Sequence, residues 1–208
     1  DVTRGDVPVN SVDVSYEAAK GIGYIKVSKF ARNTYNEFIT AIAKLKQAGC
    51  TSFVIDLRGN TGGYMDAAIN MINEFMPEGR LIVYTEGKSF PRSDVYANGT
   101  GTCKDAPIVV LTDEISASAS EIFSGAIQDN DRGTIIGRRT YGKGLVQTQM
   151  SLSDGSEMRL TIARYYTPSG RCIQKKYEMG NTDAYDQGIY NRYMHGEFDS
   201  ADSIKMDD

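Results

Sequence analysis

The sequence contains 1 histidine and 3 cysteines among 208 residues, and each scarcity closes off a class of chemistry. With His195 alone, a histidine-rich metal site is excluded. Cys50, Cys103 and Cys172 are odd in number and irregularly spaced, which excludes a disulfide-dense scaffold and a Cys-x-x-Cys zinc site and leaves at least one thiol unpaired within the chain. No apolar run approaches the ~18 residues of a membrane-crossing helix. A basic stripe is missing too, and the net charge is −4, so nucleic acid is not an expected partner. The chain opens on Asp1-Val2-Thr3-Arg4 with no methionine and no charged-then-apolar leader, as expected of a mature form or an excised fragment.

What is present is ordinary globular composition, 40% hydrophobic and 24% charged, in a length that suits one core. Charge is unevenly spread: residues 1–174 hold 19 acidic and 19 basic side chains, whereas residues 175–208 hold 8 and 4. The expected organisation is a lead-in segment over residues 1–15, a core over 16–174 and an acidic C-terminal segment over 175–208. That last segment reads as a polar tail folded back over the domain through Tyr177, Tyr185, Tyr190 and Tyr193.

Strands and helices alternate through the core. Ile22 to Val27 reads as a strand, and Phe38, Ile42 and Leu45 recur at helical spacing before Gly49. Phe53-Val54-Ile55-Asp56-Leu57 is a continuous apolar run, expected of a strand covered on both faces. Met65, Ile69, Ile72 and Met76 predict a second helix, and Leu81 to Thr85 a strand, followed by a long polar loop over residues 86–106. Pro107 to Thr112 and Thr134 to Gly137 are further strands flanking a helix that ends near Gln128. Leu145 to Leu152 and Ser156 to Tyr166 flank Asp154-Gly155, a hairpin signal. Together these predict an α/β chain with a mixed sheet and a C-terminal antiparallel hairpin.

Three stretches compete for the chemistry. Gly137-Arg138-Arg139-Thr140-Tyr141-Gly142-Lys143 matches the first seven positions of a phosphate-binding loop, but Gly144 stands where a Ser or Thr would hold magnesium, and a strand follows in place of a helix. Ser118 and Glu121, three residues apart at a helix start, form a capping-box pattern. A serine there is also well placed as a nucleophile, because the free Ala119 amide and the helix dipole can stabilise an oxyanion. Its base is not His195, which lies in the acidic tail. A lysine can serve if its surroundings lower its pKa from about 10.4 towards roughly 7–8, and Lys143, with no carboxylate close in sequence, is the candidate. A helix running from Ser118 to about Asp129 carries the chain roughly 18 Å away. The returning strand covers roughly 20 Å, which brings Tyr141 to Lys143 level with the helix start. The third stretch is Asp56-Leu57-Arg58-Gly59-Asn60-Thr61-Gly62-Gly63, a glycine-rich turn directly after a buried strand, where ligands commonly bind in open α/β sheets.

In this order, the three stretches resemble the C-terminal processing (tail-specific) serine peptidases, which use a Ser-Lys pair. The resemblance runs from the Gly-Ile-Gly-Tyr-Ile strand to Thr167-Pro168-Ser169-Gly170-Arg171, and is most specific in Ser116-Ala117-Ser118-Ala119-Ser120-Glu121-Ile122 followed by Gly142-Lys143-Gly144-Leu145-Val146-Gln147. It implies a ClpP/crotonase-like fold with Ser118 as nucleophile, Lys143 as general base and Gln147 orienting the lysine. The oxyanion hole it implies uses the backbone amides of Ala119 and Gly63, with Gly62 the fallback. It implies no metal and no organic cofactor, a polypeptide substrate cut near its C-terminus, and an exported enzyme of the cell envelope or periplasm. Thr61 departs from the proline common in the family. A PDZ domain, which the family usually carries before its core to capture a substrate carboxylate, has no room here, and Thr3-Arg4-Gly5-Asp6 looks like the exit from one. The competing expectation is a catalytically silent, peptide-binding core of the same fold.

Overall fold

The computed structural model describes residues 9–177 and 182–203. Thr3-Arg4-Gly5-Asp6, the stretch read as the exit from another domain, lies outside the described residues.

The chain builds two sheets. The first has the order β1-β2-β3-β6-β7, from β1 (Val12–Ala19), β2 (Ile22–Val27), β3 (Ser52–Asp56), β6 (Ile108–Thr112) and β7 (Thr134–Gly137). Within it β2, β3, β6 and β7 are parallel and β1 is an antiparallel edge. The helices α1 (Thr34–Gln47), α2 (Met65–Asn73) and α3 (Ala119–Asp129) fall between those parallel strands, as parallel pairing demands of its crossovers. The second sheet, ordered β5-β4-β9-β8, is antiparallel throughout and consists of β4 (Leu81–Gly87), β5 (Phe90–Tyr96), β8 (Leu145–Ser151) and β9 (Glu157–Tyr166). The C-terminal hairpin therefore pairs with β4 in a sheet of its own. The C-terminal segment adds α4 (Thr182–Asp186), α5 (Gly188–Met194) and a 3₁₀ turn, Ala201–Ser203.

Residue chemistry explains these elements. On α1 the buried apolar side chains are Phe38, Ala41, Ile42 and Leu45, one stripe facing the sheet. α3 is buried along all of Ala119 to Ile127, as expected of a helix enclosed by other layers. Phe75 joins the layers at the centre, its ring edge-on to Phe38, Phe53 and Phe123 at 6.1, 6.4 and 6.5 Å.

Two strands differ from the sequence reading. Residues 12–19 pair with β2, although residues 12–15 read as lead-in; Val12, Val14 and Tyr16 alternate with Asp13, Ser15 and Glu17, but seven of the eight β1 residues are exposed. Residues 90–96 interrupt the expected loop as β5, an edge strand exposed at nearly every position, where Pro91 is tolerated because no neighbour needs its amide. Cys50 and Cys103 are buried, Cys172 is exposed, and all three are free thiols.

Candidate active site

Three parallel neighbours, β3, β6 and β7, run side by side, with Asp56 opposite Leu111 and Thr112 opposite Gly137. Their C-terminal ends share one edge of the sheet, so the loops that leave them meet there. The loop after β3 carries Gly62 and Gly63, the loop after β6 carries Ser118, and the loop after β7 carries Lys143. Residues separated by 80 positions in sequence are thus delivered to one place by strand order alone.

Ser118 caps the N-terminus of α3 and is half-buried. Its backbone sits at φ 56°, ψ −112°, a region that a residue with a Cβ occupies only at a cost. The strain is held by neighbours. Ala117 N–H donates to Asn60 O at 3.0 Å, Ser120 Oγ donates to the same oxygen at 2.9 Å, and Ser118 N–H donates to Glu121 Oε2 at 2.8 Å.

The carboxylate of Glu121 also reaches the lysine loop. Oε2 accepts the Lys143 N–H at 2.8 Å, while Oε1 accepts the Gly142 N–H at 2.6 Å and the Thr140 hydroxyl at 2.7 Å. Because Ser118 and Lys143 donate their amides to the same oxygen, their two backbone nitrogens stand no more than about 6 Å apart. Tyr141 N–H adds a second tie, to Ser116 O at 2.9 Å. The loop returns to the helix start where helix and strand lengths place it. Burial pushes the Glu121 carboxyl up, and its hydrogen bonds from Thr140, Lys143, Ser118 and Gly142 offset that only in part.

Lys143 itself is exposed, and its amine has no hydrogen-bond or ion-pair partner among the described residues. Gln147, on β8 opposite Thr161, is exposed as well and is not bonded to Lys143. His195 is an exposed residue at the end of α5.

The glycine turn approaches the serine closely. A Cβ on Gly62 would lie 2.6 Å from Ala117 O and 2.7 Å from Ser118 Cβ, so only glycine fits, and its φ of +96° demands glycine independently. Gly62 N–H is spent on Asn60 Oδ1 at 2.8 Å, whereas Gly63 N–H donates to no acceptor among the described residues. Ala119, the first residue of α3, likewise has an unspent N–H. Asp113 stitches the two loops together: its carboxylate accepts Gly59 N–H at 2.9 Å and Ser116 N–H at 3.0 Å. Nothing in the sequence assigns a role to Asn60, Asp113 or Thr140, because turn-forming residues of these types are common and only their contacts across the fold distinguish them.

Behind the turn, Asp56 is buried at the end of β3 and accepts hydrogen bonds from Tyr24 Oη at 2.6 Å, Arg58 Nη2 at 2.6 Å and Arg58 N–H at 2.9 Å. Lys26 Nζ lies 3.4 Å away and also donates to Arg58 O. Burial alone would push the Asp56 carboxyl up, but Arg58, Tyr24 and Lys26 outweigh it and hold the carboxyl well below the usual range. The Tyr24 phenol is pushed up to about 12 by its own burial and by the Asp56 carboxylate. A depressed carboxyl contributes stability above its ordinary value near pH 3.9, and that contribution is lost as pH falls below it. Asp56→Asn should therefore lose about 1–3 kcal/mol near neutrality and less in acid. Urea unfolding at a series of pH values checks this; parallel losses for both proteins across the series would contradict it.

A family model described as peptidase family S41 matches residues 21–182. The chain is 41% identical over 156 residues to the carboxyl-terminal-processing protease of Synechocystis sp., covering 75% of this chain and 36% of that protein. It is 38% identical over 159 residues to the chloroplastic C-terminal processing peptidase of Tetradesmus obliquus, covering 76% and 34%. Among solved structures, the photosystem II D1 C-terminal processing protease is similar with a TM-score of 0.73 and 35% identity, covering 83% of this chain and 47% of that one. The chain thus spans between 34% and 47% of the length of these relatives.

Proposed function

The chain belongs to peptidase family S41, and on that premise we propose that it is a serine endopeptidase of the C-terminal processing type, with Ser118 as nucleophile and Lys143 as general base. The observation that carries this reading is the Glu121 carboxylate oxygen shared by the Ser118 and Lys143 amides, which anchors both loops at one point.

Chemistry follows from the placement. Neutral Lys143 accepts the Ser118 proton as the hydroxyl attacks a peptide carbonyl, and Gln147, four positions along, orients the amine. The tetrahedral oxyanion lies between the unspent amides of Ala119 and Gly63, at the positive end of α3. Gly63 is preferred over Gly62 because the Gly62 donor is already engaged. The lysine ammonium then protonates the leaving amine, the peptide bond breaks, and water hydrolyses the ester. The amine is exposed in the chain alone. A polypeptide lying across the loops would cover it and supply the desolvation that favours its neutral form.

The substrate class is a polypeptide cut near its C-terminus, in the cell envelope or periplasm, with a PDZ domain in the full-length protein presenting the substrate. No metal and no organic cofactor enters the mechanism. The purified chain, and a longer form carrying the PDZ domain, are tested on an unstructured polypeptide alongside Ser118→Ala and Lys143→Ala. Cleavage that depends on both residues is the expected result, and cleavage indifferent to them would assign the site elsewhere. The open Lys143 amine favours one second reading, a peptide-binding core without turnover; it predicts saturable binding and no product from either form.

A further inference from the structure

Residues 138–144 carry Lys143 yet form no regular element. On one flank, a cleft of about 870 Å³ separates Thr140 and Gly142 from Ser124 and Gly125 of α3 and from Ile189 of α5. Gly142 and Gly144 pack closely on residues 173–175, and discrete polar contacts hold the rest of the loop. Glu121 grips it from the core side.

The outer side is gripped by the C-terminal segment. Arg192 on α5 donates through Nη2 to Arg139 O at 2.6 Å and through Nη1 to Thr140 O at 3.3 Å. Its Nε donates to Glu197 Oε1 at 2.7 Å. Glu197, only 8% exposed, also accepts from Arg139 Nη2 at 2.7 Å, so one carboxylate binds two guanidinium groups. At the segment's near end, Lys175 N–H donates to Gly142 O at 3.0 Å, and Gly144 N–H donates to Gln174 Oε1 at 3.0 Å. The Lys175 ammonium sits 4.4 Å from the centre of the Tyr141 ring and 3.8 Å from that of Tyr185, and donates to Tyr185 O. These ties converge on residues 139–144. Tyr190 and Tyr193, expected to fold the segment over the domain, are instead 59% and 58% exposed, so guanidinium–carboxylate pairs do the docking with Tyr185.

We propose that the α5 region is part of the catalytic apparatus, with Arg192 and Glu197 as positioning residues that hold the loop presenting Lys143. This rests on the reading of Lys143 as base. Removing Glu197 leaves Arg139 and Arg192 facing each other without their shared carboxylate, and removing Arg192 leaves two loop carbonyls without their donor. In both cases the serine, the glycine turn and the Asp56 cluster keep their contacts, so the loop moves while the core stays folded.

Arg192→Ala and Glu197→Gln are made in the full chain, with Lys143→Ala alongside. Each is measured for kcat and KM on an unstructured polypeptide, for thermal melting, and for amide hydrogen exchange over residues 139–144. The expected result is a fall in kcat of about tenfold or more with KM within about twofold, because a displaced base loses stabilisation made only in the transition state. Exchange over residues 139–144 accelerates while the main melting transition holds. Arg192→Lys does not restore activity, since an ammonium cannot make the forked contact. Unchanged exchange over 139–144 in both variants overturns the clamp whether or not the chain cleaves anything. Wild-type kcat in both variants, with Lys143→Ala inactive, overturns the positioning role while leaving the base assignment intact. A chain that cleaves equally well without Lys143 overturns the base assignment instead, and the exchange result then decides the clamp separately.

Discussion

Cleavage of an unstructured polypeptide should fall about a thousandfold or more in Ser118→Ala, and by a comparable factor in Lys143→Ala. The reason is that nucleophile and base act as one unit, so losing either forfeits most of what the pair supplies. The double variant should then be scarcely worse than either single one. Folding should survive both changes. Lys143 is exposed, with an amine that has no partner among the described residues, and alanine at Ser118 removes one oxygen without disturbing the backbone bond to Glu121. Both variants should melt within a few degrees of the parent, so lost activity reports chemistry and not unfolding. Additive losses in the double variant, or a Lys143→Ala enzyme retaining a tenth of the parent rate, would show that the two groups do not act together.

Glu121→Ala should be the most damaging change outside that pair, in both stability and activity. It leaves the amides of Ser118, Gly142 and Lys143 without their acceptor at a buried position. Unsatisfied buried donors cost about 1–3 kcal/mol each, with water recovering part, so a net loss on the order of 3–5 kcal/mol is expected. Glu121→Gln is the sharper probe. Its amide keeps one acceptor oxygen but turns a donor towards amides that are themselves donors, so the serine and lysine loops lose their common anchor while the cavity stays filled. A drop in kcat of roughly ten- to a hundredfold with a smaller stability loss is predicted. The sign of its titration is also set: a carboxyl raised by burial destabilises the fold as it ionises, so the Gln variant recovers that part at high pH. A Gln variant with the parent kcat would mean that the shared oxygen does not position the pair.

Much of the fold is legible in the sequence. The parallel strands declared themselves because each is a short apolar run bounded by turn residues, and the helices because their apolar spacing is regular. Ser118 stands out as a serine at a helix start, Lys143 as a lysine with no carboxylate close in sequence, and the glycine turn by following a buried strand directly. The edge strand β5 is not legible, since Phe90 to Tyr96 carries no alternation, whereas β1 does alternate over Val12 to Glu17 and is hidden only by its place in a polar lead-in. The second sheet was not legible either, because the pairing of β4 with β9 joins residues about eighty positions apart and leaves no local trace. Glu121 shows the limit most clearly. Its spacing from Ser118 marks a helix cap, and nothing in that spacing reveals that the same carboxylate also holds Thr140, Gly142 and Lys143.

The decisive measurement is acylation by an activated peptide ester, followed by intact mass and peptide mapping across a pH series. One acyl group should appear on Ser118, at a rate that rises with pH, as general-base catalysis requires. In Lys143→Ala that pH-dependent rise should vanish. Acylation of a different residue, or a rate on Ser118 that stays flat between about pH 6 and 10 and is indifferent to Lys143, would contradict the assignment.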